Sequence, residues 1–169
     1  MPAEAPPWPE FPAQRGTYAL LLGVDAPLRL AVGRLGKFEL AAGHYLYVGS
    51  AHGAGGLRAR VGRHLRAEKK PHWHIDTMTA RAPVIAVAWS AAPERLECVW
   101  AGRVAALAGV RVPIARFGAS DCGCAAHLFG VPRAQVCAVW RTLAPVVVVW
   151  RRGVSAFGCD AEGQPAPQQ

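Results

Sequence analysis

No apolar run in this sequence approaches the roughly 20 residues that cross a bilayer. The long runs, Val84 to Trp89 and Val146 to Trp150 among them, have the length of a strand. The N-terminus lacks a basic segment followed by an apolar one, so nothing there reads as a secretory leader. A soluble cytoplasmic protein with no membrane partner is the expectation. Cysteines are few and irregularly spaced: Cys98, Cys122, Cys124, Cys137 and Cys159. An odd count without a leader argues against a disulfide framework, and reduced thiols are expected. The glycine-rich stretch 53–56 lacks the Lys-Ser/Thr ending of a phosphate-binding loop, which leaves nucleotide hydrolysis unsupported. Internal repeats and an obvious interdomain linker are also missing.

What is present is a chain of 169 residues, 52% of them apolar. That is enough for one domain with a real core and hardly enough for two. The net charge is +8, carried mostly by arginine, since Lys37, Lys69 and Lys70 are the only lysines. Arginine offers a planar donor fork that suits phosphate, and the charge favours a polyanionic partner. Residues 1–14 hold five prolines and little periodicity, and read as a flexible arm. Residues 154–169 read as a flexible tail. One domain is expected between them, over 15–153.

Within that domain, Gly16 to Val24, Leu28 to Val32, Phe38 to Leu40 and Tyr45 to Val48 read as strands, with turn signals between them. Leu57 to Arg66 reads as a helix: Leu57, Val61 and Leu65 form one stripe, and Arg60 and His64 share the next. Pro71 ends it. Residues 74–79 give a poor signal. Val84 to Trp89 is a strand, and a second helix is expected from Pro93 to about Ala108, closed by Gly109. Residues 113–124 are loop-rich, and Leu128 to Val131 and Ala144 to Trp150 are late strands. Strands that come first in hairpins, with helices after them, argue for an α+β fold with an antiparallel sheet.

The segment YLYVGSAHGAGGLRARVGRHL, residues 45–65, concentrates the chemistry. A tyrosine at a strand end supplies a phenol, and an arginine and a histidine follow one helical turn apart. With a carboxylate for a divalent ion, these groups suit phosphodiester hydrolysis. Tyr45 is assigned a structural role on the face opposite Tyr47.

Gly16-Thr17-Tyr18 followed by Tyr47-Val48-Gly49 resembles the paired motif of the GIY-YIG nuclease superfamily. Leu57-x-x-Arg60-Val61-x-x-His64 is similar to its arginine helix. The ordered phrases GTYALLL, YLYVGSA, GGLRARVGRHLR, KKPHWHID, Glu97-Cys98 and FGASDCGCAAHLF resemble the DUF123 branch, the Uri-type endonucleases, over about residues 15–132. This resemblance implies a mainly three-stranded antiparallel sheet flanked by helices. It also implies a structure-selective endonuclease acting on DNA, with RNA as a second possible substrate, at one magnesium or manganese ion. Tyr18, Tyr47, Arg60 and His64 would be catalytic, and Glu97, rather than Glu94, would hold the metal.

Two departures from the superfamily pattern stand out. Tyr18 and Tyr47 are 29 positions apart, which leaves room for an extra hairpin between the motif strands. The superfamily often has an asparagine after the glutamate, and this sequence contains none; Ser120, Asp121 or His127 are candidates for its place.

Arg58, Arg63, Arg66, Lys69 and Lys70 fit a nucleic-acid-binding surface around the site. The alternative function is a non-catalytic nucleic-acid-binding module of the same fold. Asp121, Cys122, Cys124 and His127 form a possible second site, whose donors suit zinc. A tight turn with inert thiols is the favoured reading there. The His72-Trp73-His74 phrase is taken as a polar rim near the substrate or as a segment packed with Trp73 inward.

Overall fold

The structure, a computed structural model, describes residues 7–159. Residues 1–6 of the expected arm and 160–169 of the expected tail lie outside the described residues.

Strand β1 (Gly16–Val24) is apolar on both faces and buried almost throughout, as a central strand must be. It pairs antiparallel with β4 (Gly43–Ala51) on one side and β5 (Val84–Ser90) on the other. β6 (Leu128–Val131) adds to the outside of β4, and β7 (Val147–Trp150) to the outside of β5. The main sheet therefore has five strands in the order β6-β4-β1-β5-β7, where three were expected. Both late strands were legible as strands, but their places in the sheet depend on pairing with distant segments. The extra hairpin is present between the motif strands: β2 (Leu28–Val32) and β3 (Gly36–Leu40) form their own two-stranded sheet.

Side chains alternate along β1, so each set feeds a different core. Tyr18, Leu20 and Leu22 enter one, together with Leu57 and Val61 of α1 (Gly56–Leu65), Ile75 and Met78 at α2 (Asp76–Thr79), and Leu28 and Leu30 of the hairpin. Ala19 and Leu21 enter the other, with Trp100 and Val104 of α3 (Glu97–Ala105) and Val139 and Trp140 of α4 (Val136–Leu143). Helices thus cover both faces. Tyr45 and Tyr47 are two residues apart and fall in the same core, which corrects the opposite-face expectation. Tyr45 stands apart because its hydroxyl donates to the Ala41 carbonyl, 2.7 Å away.

The described residues of the expected arm and tail pack against the domain. Phe11 is buried in the first core, and the carbonyls of Pro12 and Gln14 accept from the Arg58 and Leu57 amides at the start of α1. At the other end, Phe157 stacks on Trp150, and Cys159 is bonded to Cys137 of α4. This disulfide corrects the expectation of reduced thiols for these two residues. α4 carries its cysteine to the returning tail, a proximity that spacing in the sequence does not reveal. No helix among the described residues is long and apolar enough to cross a membrane.

Candidate active site

The two motif glycines are required by close packing. A Cβ on Gly16 would lie 2.2 Å from the Ser90 carbonyl oxygen across the β1–β5 pair. A Cβ on Gly49 would lie 2.4 Å from the Tyr18 hydroxyl. Gly49 is the register partner of Tyr18, so its missing side chain is what lets the phenol lie over β4. Gly49→Ala is expected to cost about 1–3 kcal/mol through overpacking and to move the phenol. Chemical denaturation checks this; a loss under about 0.5 kcal/mol, the range of an ordinary surface substitution, would show the contact to be soft.

Between the glycines, Thr17 has its own task. Its buried hydroxyl accepts from the Leu96 amide at 3.1 Å, at the entry to α3. This bond fixes the start of α3, four residues later than Pro93 suggested, and with it the position of Glu97.

Four of the expected catalytic residues come together. The Tyr18 hydroxyl lies 2.7 Å from His64 Nε2, and both residues are buried. The Tyr47 ring lies 6.4 Å from that of Tyr18 and 6.5 Å from that of His64. The Tyr47 hydroxyl has no protein hydrogen bond among the described residues, although the residue as a whole is buried. Arg60 stands at the surface of this group with its guanidinium stacked on Trp73, 4.0 Å from the ring centre. A cleft of about 210 Å³ opens beside it, lined by Ala51, Gly53, Gly56, Arg60, Arg63 and Trp73.

Asp76 completes the site, and sequence reasoning did not assign it. Its side chain is fully buried beneath His64, with Oδ1 3.5 Å from His64 Nδ1, an ion-pair distance rather than a full hydrogen bond. Arg63 Nη1 donates to both carboxylate oxygens, at 2.8 and 3.0 Å. The His72 and Trp73 amides donate to Oδ2, at 2.8 and 2.9 Å. Burial alone would raise the pKa of Asp76, but the nearby His64 Nδ1 and the hydrogen bonds from Arg63 and the two amides prevail and hold it far below the usual carboxylate range. Burial lowers the His64 pKa, with Asp76 opposing, so the imidazole is neutral near pH 7. Burial, reinforced by Tyr47, raises that of Tyr18 well above its ordinary value, so the phenol keeps its proton at rest. Tyr47 is raised for the same first reason, and next by Glu97.

The rest of the PHWHID phrase also serves the site. Trp73 sits under both Arg60 and Arg63 and packs edge-on against His64. His74 Nδ1 accepts from the Gly118 amide at 3.0 Å, which holds the loop after α3 close to Tyr47.

Glu97 is half-buried at the first turn of α3, and no hydrogen bond or ion pair neutralises its carboxylate among the described residues. Its charge reaches both Tyr18 and Tyr47. A single free carboxylate beside water-accessible space fits magnesium, which keeps several of its waters.

The expected phosphate-binding cations divide. Arg66 and Lys70 are exposed. Arg58 bonds to the Phe11 carbonyl and pairs with Glu10, and Arg63 is committed to Asp76 and the Lys70 carbonyl. Lys69 caps α1 by donating to the His64 and Arg66 carbonyls.

At the possible second site, Cys122, Cys124 and His127 converge, and Cys98 of α3 joins them; all four ligand atoms lie within 4.8 Å of one another. Partial burial and the neighbouring sulfurs push the Cys98 thiol up, to about 12. Such a group can hold a metal ion. Sequence reasoning missed Cys98 because it lies 24 positions before Cys122. The one local hint was its place directly after Glu97.

Among known proteins, no curated protein and no solved structure matches the chain closely. The family model described as Domain of unknown function DUF123 matches residues 17–147, a span holding both motif tyrosines, the arginine helix, Glu97 and the cysteine loop. With well over half of its length matched, the chain belongs to the DUF123 family.

Proposed function

We propose that this domain is a metal-dependent endonuclease that hydrolyses phosphodiester bonds in DNA, selecting its substrate by structure. The observation that carries the proposal is the buried Tyr18–His64–Asp76 chain packed against Trp73, whose ring carries Arg60 at the edge of an open cleft.

The neutral His64 accepts at Nε2 if its proton sits on Nδ1, facing Asp76, which is the tautomer the carboxylate favours. Tyr18 then donates its proton to His64 as its oxygen takes one from the attacking water. Asp76 stabilises the imidazolium that forms. Tyr47 remains a phenol, since burial raises its pKa, and its free hydroxyl orients the water or a phosphate oxygen by donation. Arg60 binds the non-bridging oxygens as charge builds on them, with its planar fork held by Trp73. A new P–O bond to water forms, the bond to the leaving oxygen breaks, and that oxygen is protonated from solvent. Glu97 would hold the magnesium or manganese ion, which when bound supplies positive charge next to the leaving oxygen. One such site cuts one strand.

The test is cleavage of labelled single-stranded, duplex, flap and branched DNA, and of RNA, with magnesium or manganese. Metal-dependent cutting is expected, and Glu97→Gln should abolish it while the denaturation midpoint stays within the range of a surface substitution. Absence of cutting on every substrate, with salt-sensitive binding intact, would overturn the proposal in favour of a binding module.

A further inference from the structure

We propose that Cys98, Cys122, Cys124 and His127 bind one zinc ion in a closed, four-coordinate structural site that ties the first turn of α3 to the loop before β6. The proposal stands apart from the hydrolysis reading, since its evidence is a separate set of donors.

The first argument is geometric. In a tetrahedral zinc site, Zn–S near 2.3 Å and Zn–N near 2.0–2.1 Å place ligand sulfurs about 3.8 Å apart and a sulfur about 3.5 Å from the nitrogen. Cys122 Sγ lies 3.5 Å from His127 Nε2, and no pair of the four donor atoms exceeds 4.8 Å. A small contraction would close the tetrahedron. A disulfide would use two of the sulfurs and leave the third without a role.

The second argument is that the loop is already shaped for ligation. Arg116 holds a left-handed backbone, with φ of 65°. Its guanidinium donates to the Cys124 and Cys122 carbonyls at 2.5 and 2.7 Å, and its amide to the Ala125 carbonyl at 2.6 Å. These bonds fix both cysteines from the backbone side and leave their sulfurs free to converge. His127 is buried and pinned on both sides: its amide donates to the Phe117 carbonyl at 2.7 Å, and its carbonyl accepts from the Val48 amide at 2.9 Å. A Cys-x-Cys pair is a strained chelate alone, but here the other two ligands arrive from α3 and from the end of the loop.

The third argument is ligand chemistry. Three thiolates and an imidazole select a soft or borderline ion and discriminate against magnesium. Four protein ligands leave no open position, so the ion is structural, and binding expels the thiol protons to solvent. Asp121, expected in the ligand set, gives way to Cys98. One of its ligands, Cys98, directly follows Glu97, and another, His127, borders Gly118, where a Cβ would lie 3.1 Å from His127 and 2.9 Å from the Tyr47 ring.

The test uses the full chain, purified without chelator from zinc-supplemented culture. Elemental analysis should return on the order of one zinc per chain. After metal removal under reducing conditions, titration with cobalt(II) should give tetrahedral d–d absorption and a strong thiolate-to-cobalt charge-transfer band. Cys98→Ser should weaken that band by roughly a third, as three thiolates become two. It should also lower zinc affinity by at least about a hundredfold, beyond what loss of a supporting residue produces. Asp121→Ala should change neither. The wild-type readings hold whether or not Cys98→Ser folds. No zinc or cobalt uptake by the reduced protein, an octahedral cobalt spectrum, or unchanged affinity in folded Cys98→Ser would each overturn the proposal.

Discussion

Asp76→Ala is expected to destabilise the protein by about 3–5 kcal/mol, the cost of removing one partner of a buried ion pair. The carboxylate is fully buried, accepts from Arg63 and two backbone amides, and lies at ion-pair distance from His64. Alanine leaves the amides unsatisfied and the Arg63 guanidinium without its counter-charge. Asp76→Asn keeps the volume but turns an NH₂ toward donors, so it should recover only part of the loss. Acid sensitivity gives an independent reading. Because the folded pKa of Asp76 is depressed, its contribution is full above the unfolded value of about 3.9 and is lost as pH falls toward the folded value. His64 adds a second loss. Its folded pKa is also lowered, so the unfolded chain binds the proton more readily, and stability declines as pH drops below about 6.5. The variant should lose the first of these dependences. Urea denaturation of wild type and variant between pH 3 and 8 would measure both, and a change under about 1 kcal/mol would make Asp76 no more than a surface ion pair.

That Asp76 escaped sequence reasoning has a physical cause. Its partners are Arg63 and His64 at the end of α1 and the amides of residues 72 and 73, so no spacing in the sequence marks it. The residues that were legible share another property: each is tied to a local pattern. The continuous apolar run of β1 marked the strand that carries Tyr18, and the four-residue stripe Leu57, Val61, Leu65 set the helix that carries Arg60 and His64. The same rule shows one avoidable miss. Val136, Val139, Trp140 and Leu143 are spaced as a helical stripe and are buried as one in α4, yet the segment passed without assignment beside the stronger strand signal that follows it. Sheet membership of β6 and β7, the third sulfur of the cysteine cluster and the Cys137–Cys159 bond were hidden for the opposite reason. Each arises where segments far apart in sequence meet.

Arg60→Ala is expected to cut the cleavage rate by about a thousandfold, the upper range for deleting one preorganised donor to developing charge. The same change should leave the fold nearly intact. Arg60 lies partly in solvent and has no ion pair among the described residues, so its stabilising contact is the stacking on Trp73. An exposed cation–π contact is worth about 0.5–1 kcal/mol. This asymmetry separates a catalytic arginine from a structural one, and Arg63 is the internal contrast. It shares the Trp73 ring but is committed to Asp76, so Arg63→Ala should lose stability first and activity as a consequence. Arg60→Lys should not restore the rate, because an ammonium cannot offer two parallel donors to a phosphate or stack as a plane on the indole. Substrate binding should weaken only modestly, with the salt dependence falling by the equivalent of about one phosphate contact. Single-turnover cleavage, a binding titration across salt concentrations and a denaturation curve on the wild type and the three variants would measure these quantities together. If the Arg60→Ala rate fell less than about tenfold, or fell only in step with stability, the guanidinium would belong to the binding surface, and the charge developing on the phosphate would need another partner.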